Sequence, residues 1–221
     1  FKFNSNSLMI DVSLHFGSLL AIIFYFRKEL LDLKNNLKLL ILIVVGSLPL
    51  IAAGYTLSAT GLINLLENNL EIIAWATFIF GIFLYFADKC KSDQKISSNL
   101  NFKTIIYIGL FQILALIPGV SRAGITITAG RLLKFNRFDS SKISFLLAIP
   151  AIMGASTLQL KNAFEESFEI NYLILLSITL SFLFSYFTIK FFLEFISKFS
   201  LNIFVIYRII IAMILFIIIY N

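Results

Sequence analysis

Apolar residues fill long stretches of this chain, and short polar loops separate them. A transmembrane helix needs roughly 20 mostly apolar residues. Six stretches come close to that length: residues 7–26, 37–57, 72–87, 143–160, 170–192 and 203–220. A seventh apolar region, 104–117, is too short to cross alone; it runs into Pro118-Gly119 and is followed by a second short segment, 123–133. The pattern predicts an all-α polytopic membrane protein with six transmembrane helices and one broken helical hairpin.

Composition and charge agree with a lipid-exposed protein. Of the 221 residues, 59% are hydrophobic and 14% are charged, whereas soluble domains usually carry about 25% charged residues. The 25 Phe could not all be hidden inside a soluble globule of this size. The net charge of +6 does not indicate nucleic-acid binding, because Lys and Arg mostly fall between apolar runs rather than on one solvated face.

The loops carry a charge code that predicts their sidedness. Lys and Arg are concentrated in 27–38, 88–103 and 190–198, whereas 61–71 and 161–169 are mainly acidic. Because basic loops stay in the cytoplasm, the first three are expected inside and the last two outside.

This topology makes the broken hairpin, residues 104–142, enter from the cytoplasm and return to it. We therefore expect a re-entrant hairpin with its tip near the bilayer midplane, where irregular backbone is tolerated only if protein or water surrounds it. Three spans precede it and three follow with opposite sense, which predicts one domain, 1–221, built from inverted repeats at about 1–103 and 104–221. The symmetry, and a first residue that is not Met, lead us to expect a further hairpin before Phe1. Such repeats place sites at their midplane interface.

The break at the hairpin tip has the residues of a helix end and a helix start. Pro118 removes a backbone donor and Gly119 frees the backbone, so the first helix ends there. Ser121 is a favoured N-cap for the second helix. The first amides of that helix are then free donors at a positive dipole end, which suits an anion.

Three residues after the cap add to this predicted anion site. Arg122 supplies a planar fork that matches phosphate oxygens, Thr126 lies one turn further on the same face, and Gly124 allows close approach of a ligand or backbone. The alternative is a proline kink with a snorkelling Arg122. It is disfavoured, since an unpaired charge at that depth costs at least about 2.5–3.5 kcal/mol.

Other polar residues in apolar segments are less informative. We interpret Arg131, Lys134 and Arg137 as interfacial anchors, and His15 as a packed residue of the first span. Arg208 leaves two alternatives open: it snorkels to the interface, or it reaches into the site. The sequence shows no Cys/His cluster with metal-ligand spacing, no Walker loop and no GxSxG.

The hairpin segment 118–126, PGVSRAGIT, resembles the PGxSRSGxT motif of undecaprenyl-diphosphate phosphatases, the bacitracin-resistance family. Segments 11–21, 144–150, 153–155 and 206–208 are similar as well, so the resemblance covers essentially the whole chain. There are two departures. Ala123 replaces the second Ser, and the family's Glu-rich segment leading into a Pro-x-Ser-Ser-Thr-Gly-His turn is absent from this sequence.

The resemblance implies hydrolysis of undecaprenyl diphosphate to undecaprenyl phosphate and phosphate, which recycles the carrier lipid for cell-wall synthesis. Together with the motif it implies catalytic roles for Ser121, Arg122 and Thr126. Phosphate binding is expected from Gly119, Ser121, Arg122, Gly124 and Arg208. Ser121 is either a phosphate-contacting cap or the nucleophile. A divalent cation, Mg²⁺ or Ca²⁺, is implied too, held by the motif that this sequence lacks.

The expected partners are a polyprenyl diphosphate lipid and membrane lipids, without nucleic acid; the sequence leaves open whether a second copy forms a homodimer. The expected location is the bacterial inner membrane, with the cleft facing outside. Two alternatives stay open: an anion or lipid-phosphate transporter, since inverted repeats are transporter architecture, and an inactive truncated paralogue. A Glu pair with a Ser/His turn upstream would favour the phosphatase.

Overall fold

The computed structural model describes residues 5–61, 69–90, 94–164 and 172–220, without the side chains of residues 5–8, 33 and 158–164. The regular elements in these ranges are α-helices, one short 3-10 helix and one isolated bridge between Gln94 and Phe135. The helices are α1 (Ser5–Tyr25), α2 (Arg27–Leu31), α3 (Leu33–Thr60), α4 (Leu70–Asp88), α5 (Ile96–Asn99), α6 (Phe102–Ile113), the 3-10 helix Leu114–Leu116, α7 (Arg122–Leu132), α8 (Arg137–Phe164), α9 (Tyr172–Lys198) and α10 (Asn202–Tyr220).

Five of these helices, α3, α4, α8, α9 and α10, are long and apolar enough to cross a membrane. They correspond to five of the six predicted spans, and the all-α polytopic prediction is confirmed. The sixth predicted span corresponds to α1, whose apolar part over the described side chains, Met9–Tyr25, is shorter. The count of six spans, the inverted repeats and the single domain over 1–221 stay predictions.

Several helices extend beyond their apolar runs into the basic segments. Helix α8 already begins at Arg137 rather than at residue 143, and α9 continues to Lys198 rather than ending at 192. Lys and Arg are good helix formers, and their long side chains can reach polar surroundings from a helix end. The hydrophobic pattern therefore located the helices correctly but made them too short.

Polar residues mark the starts of the helices. The side chain of Asn69 accepts from the amides of Glu71 and Ile72 at the start of α4. Asn101 and Thr104 form a reciprocal capping box at the start of α6. These caps satisfy amides that have no partner within the first turn.

The hairpin of α6 and α7 lies at the centre of the packing. Helix α7 packs against α8, α4 and α6, while α3 packs against α6 and α8. Around this centre, α1 packs on α9 and α8, and α10 packs on α4. Every residue of α7 from Ile125 to Arg131 is buried, so this helix is surrounded on all sides.

The outer helices expose apolar side chains instead. Among the residues of α9, only Ile189, Leu193 and Ile196 are buried, and large side chains such as Phe184 and Phe191 are exposed. Such a surface is stable only against hydrocarbon, which agrees with a multi-pass membrane protein.

Candidate anion-binding site at the hairpin turn

The predicted break between α6 and α7 is confirmed, and positive backbone angles create it. After the 3-10 turn the chain is non-helical from Ile117 to Ser121. Gly119 has φ +92° and lies against α4: an added Cβ would be 2.5 Å from the carbonyl oxygen of Ile73 and 2.9 Å from Oγ1 of Thr77. Thr77 donates from Oγ1 to the Gly119 carbonyl at 3.3 Å. Only glycine fits this turn, because of its backbone angle and because α4 is so close.

Ser121 is the N-cap of α7, as predicted. Its hydroxyl oxygen accepts from the amide of Gly124 at 3.3 Å. Ser121 is exposed, and its φ is +64°, which is uncommon for a residue with a side chain. Backbone strain of this kind is concentrated at functional sites, so Ser121 is held in an accessible and unusual conformation.

Arg208 reaches the turn from the last helix, which decides between the two alternatives left open by the sequence. Its guanidinium donates to the carbonyl oxygens of Gly119 at 2.8 Å and Val120 at 3.0 Å. It also donates to the carbonyl of Thr77 at 3.4 Å. With 4% of its surface exposed, Arg208 is not a snorkelling interfacial residue. The sequence could not show this, because it gives no distance between α10 and the hairpin.

Gly124 permits the close approach that the sequence predicted, and the approaching group is Arg208. A Cβ at Gly124 would lie 3.0 Å from Nη1 of Arg208 and 3.4 Å from Oγ of Ser121. Gly124 therefore brings the second arginine and the N-cap hydroxyl to the same side of α7.

Arg122 and Thr126 both contact α8. Nη1 of Arg122 donates to the carbonyl oxygen of Ser144 at 3.1 Å, and the side chain is partly buried. Thr126 is fully buried, and its hydroxyl lies 2.7 Å from Oγ of Ser144 and 2.9 Å from the Arg122 carbonyl. In this conformation Thr126 supports Arg122 and joins two helices, and its direct contact with a phosphate stays a prediction. Ser144 and Thr77 are polar partners that the sequence reasoning missed.

The turn holds positive charge that no carboxylate of the described residues offsets. Within the described ranges, neither Arg122 nor Arg208 forms an ion pair with Asp or Glu. Their recorded partners are backbone carbonyls, which orient a guanidinium without cancelling its charge. Two such arginines beside the N-terminus of a helix form an environment suited to a multiply charged anion.

Comparisons with known proteins agree with this chemistry. The sequence model of the family described as "Bacitracin resistance protein BacA" matches residues 1–214. The chain belongs to the BacA family. A protein of Pelagibacter ubique named undecaprenyl-diphosphatase is 80% identical over 221 residues, which is the whole of this chain and 86% of that relative.

More distant relatives of this BacA-family chain carry the same name. One from Elusimicrobium minutum is 38% identical over 219 residues, which cover 95% of this chain and 83% of the length of that relative. Another from Alteromonas mediterranea is 39% identical over 177 residues, 73% of this chain and 66% of its own. The similarity thus extends over most of the chain rather than over the hairpin motif alone.

Two basic residues of this BacA-family chain that we predicted as interfacial anchors, Arg131 and Arg137, pair with Asp88. Arg131 is buried, with Nε 3.3 Å from Oδ1 of Asp88. Arg137 donates to both carboxylate oxygens of Asp88, at 2.7 and 2.9 Å. That prediction was wrong for Arg131, because its side chain is buried against Asp88 at the end of α4. For Arg137, whose side chain is 34% exposed, an interfacial position stays a prediction. Lys134 is exposed, and its role as an anchor stays a prediction.

His15 is another correction. It is exposed on α1, whereas Gly17 and Ser18 form the contacts with α9. The small residues of α1 are turned toward the neighbouring helix, so His15 is turned away from it.

The described residues do not form a ligand set for the divalent cation implied by the family resemblance. No group of three or more His, Cys, Asp or Glu lies together in the part of the chain that the structure describes. Asp88, a buried carboxylate that contacts α7 through Arg131, is already bound by Arg131 and Arg137.

Proposed function

We propose that this BacA-family protein hydrolyses undecaprenyl diphosphate to undecaprenyl phosphate and phosphate. The name undecaprenyl-diphosphatase, borne by a relative that is 80% identical over the whole chain, supports this activity. The substrate is amphiphilic, and the protein is a multi-pass membrane protein with a polar, positively charged turn.

One observation carries the proposal at the level of the site. Arg208 lies close to the hydroxyl of the exposed residue Ser121, and Arg122 is the next residue along the chain. Within the described chain no carboxylate neutralises either guanidinium. A diphosphate brings the missing negative charge. Arginine forks bind phosphate oxygens in a bidentate manner, and the first amides of α7 add donors at the same place.

The chemistry needs charge neutralisation and alignment more than elaborate covalent steps. A water oxygen forms a bond to the terminal phosphorus, and the anhydride P–O bond to the lipid-linked phosphate breaks. Arg122 and the α7 amides hold the terminal phosphate, while Arg208 holds the turn in shape and adds positive potential. Ser121 contacts the same phosphate as a hydroxyl ligand, or attacks it and is then released by water.

The location of the hydrolysis follows from the amphiphilic substrate and from the position of the hairpin in the membrane. The prenyl tail stays in hydrocarbon, and the diphosphate enters a cleft near the midplane that opens to the outside of the bacterial inner membrane. The released carrier lipid then serves envelope-polymer synthesis, and its recycling underlies bacitracin resistance. The proposal also includes a divalent cation, Mg²⁺ or Ca²⁺, as a cofactor of the hydrolysis. This part of the proposal rests on the family resemblance alone.

The test is phosphate release from undecaprenyl diphosphate by the protein expressed from its complete coding sequence. We expect Arg122→Ala to lose at least about a hundredfold in turnover, about 2.7 kcal/mol of transition-state stabilisation. Arg27→Ala is the matched control, because Arg27 is exposed on α2; it should keep wild-type turnover. If folded Arg122→Ala kept near-normal turnover, the assignment of the anion site would be wrong. If the folded wild-type protein released no phosphate, undecaprenyl diphosphate would not be its substrate.

A labelled terminal phosphate separates the two roles of Ser121. If Ser121 is the nucleophile, rapid acid quenching traps label on the protein, and Ser121→Ala removes it. If water attacks directly, no protein-bound label accumulates in either form.

A further inference from the structure

Two cavities lie at the end of the bundle that the charge code places in the cytoplasm. The first lies between the end of α4, the start of α8 and the junction of α9 with α10, and the second lies on the seam between α4 and α10. One has a volume of about 680 Å³ and polar lining, including Lys89, Asn136, Arg137, Ser197, Ser200 and Asn202. The other has about 380 Å³ and apolar lining, including Ile82, Tyr85, Phe86, Val205, Ile206 and Ile209. Asn202 lines both, so the polar cavity and the apolar groove are neighbours at the start of α10.

The charge available in the polar cavity is positive. Asp88 lies at its base with 5% of its surface exposed, and its carboxylate oxygens accept from Arg137 and from the amide of Leu201. Lys89 is exposed, and the Arg137 side chain is 34% exposed. Ser197 at the end of α9, Ser200 and Asn202 at the start of α10 add hydrogen-bonding groups to the same cavity.

The apolar groove lies on the lipid-facing surface of the same two helices. Phe86 and Ile206 are 62% and 56% exposed, and Val205 closes the floor between them. The Lys89 ammonium lies 4.6 Å from the centre of the Tyr85 ring. Because Tyr85 lines the apolar groove, this contact places a positive charge beside an apolar surface, as the head and tail of a lipid require.

We propose that this site, defined by the two cavities, binds one anionic phospholipid of the cytoplasmic leaflet. Its phosphate lies between Lys89 and Arg137, and one acyl chain lies in the groove between α4 and α10. The positive charge of Lys89 and Arg137 favours an anionic lipid over a zwitterionic one. The cytoplasmic leaflet supplies anionic headgroups, and basic pockets between helices bind them. The inference does not depend on the proposed hydrolysis.

Such a lipid would act on the hairpin from a distance. It contacts both α4 and α10, and these helices carry Thr77 and Arg208, which bind the turn at Gly119. Bound lipid therefore clamps the two helices that hold the turn, and its removal should loosen the protein.

The experiment compares the purified chain in nanodiscs of phosphatidylcholine alone and of equal parts phosphatidylcholine and phosphatidylglycerol. Native mass spectrometry should show one phosphatidylglycerol molecule retained on the protein. The Tm should be higher in the mixed nanodiscs than in those of phosphatidylcholine alone. Lys89→Gln removes the head contact and Ile206→Trp fills the groove, so each should weaken retention about tenfold, equivalent to 1.4 kcal/mol. Lys103→Gln is the control, because Lys103 is an exposed lysine of α6 outside both cavities.

Equal retention of the two lipids would overturn the proposal. So would equal weakening by Lys103→Gln and Lys89→Gln, since that result would indicate general surface charge. If inorganic phosphate alone raised Tm to the same extent, the site would be an anion pocket without a lipid, which also contradicts the proposal.

Discussion

Nη2 of Arg208 in α10 donates a 2.8 Å hydrogen bond to the carbonyl oxygen of Gly119 in the hairpin turn. The same guanidinium binds the carbonyls of Val120 and of Thr77 in α4. One buried side chain therefore holds the turn against two helices. A residue near the end of the chain thus sets the conformation of the motif at its centre.

Arg208→Lys tests this role, because it keeps the charge and removes the fork. A lysine ammonium cannot reach all three carbonyls in the same geometry. We expect the carbonyls left without a donor to cost about 1–3 kcal/mol of unfolding free energy, and turnover to fall by at least about tenfold. Thermal unfolding and phosphate release measure the two effects. Arg27→Lys is the control, because Arg27 is exposed, and it should change neither the unfolding free energy nor the turnover. If Arg208→Lys and Arg27→Lys had the same unfolding free energy and turnover, Arg208 would not anchor the turn.

Gly124→Ala should reduce turnover although alanine favours helices. Its Cβ would lie 3.0 Å from Nη1 of Arg208, so the guanidinium must move away from Gly124. Gly54→Ala is the matched control, because the nearest atom to its Cβ would be 3.7 Å away. That change should stabilise α3 by roughly 0.5–1 kcal/mol without lowering turnover. If Gly124→Ala kept full turnover, the close approach of Arg208 would be irrelevant to activity.

Thr126→Val should lower stability by about 1–3 kcal/mol, because the buried hydroxyl of Ser144 loses its partner. Thr157→Val is the matched control. Thr157 is exposed, and its hydroxyl donates only to the Met153 carbonyl of its own helix among the recorded bonds of the described residues. The unfolding free energy in a denaturing detergent titration compares the two. Similar small losses would show that the link between α7 and α8 contributes little.

Asp88→Asn should destabilise the protein by about 3–5 kcal/mol, since it removes the carboxylate that faces the buried Arg131. The ion pair Glu194–Lys198 offers a control, because both side chains are about two-thirds exposed. Glu194→Gln should cost less than about 1 kcal/mol. A loss of similar size in both variants, read from thermal unfolding, would argue against a structural role for the buried cluster.

The two arginines of α7 illustrate how far sequence reasoning carries. Arg122 follows a cap at a helix break, and that local pattern was enough to predict the break, the cap and a charged site. Arg131 shows no such pattern, and its partner Asp88 lies 43 residues earlier in the chain. Its role depends on how α4 and α7 pack, which hydrophobic periodicity does not report.

By itself, the sequence determined that the chain is helical and lipid-exposed, that a helix breaks at Pro118-Gly119, and that Ser121 caps the next helix. These properties follow from local forces, namely the transfer of apolar side chains into hydrocarbon and the hydrogen bonds of a single turn. Only the tertiary structure decided that Arg208 holds the turn, that Thr126 is buried against Ser144, and that Asp88 takes up Arg131 and Arg137. Those contacts join residues on different helices, and their distances are set by helix packing.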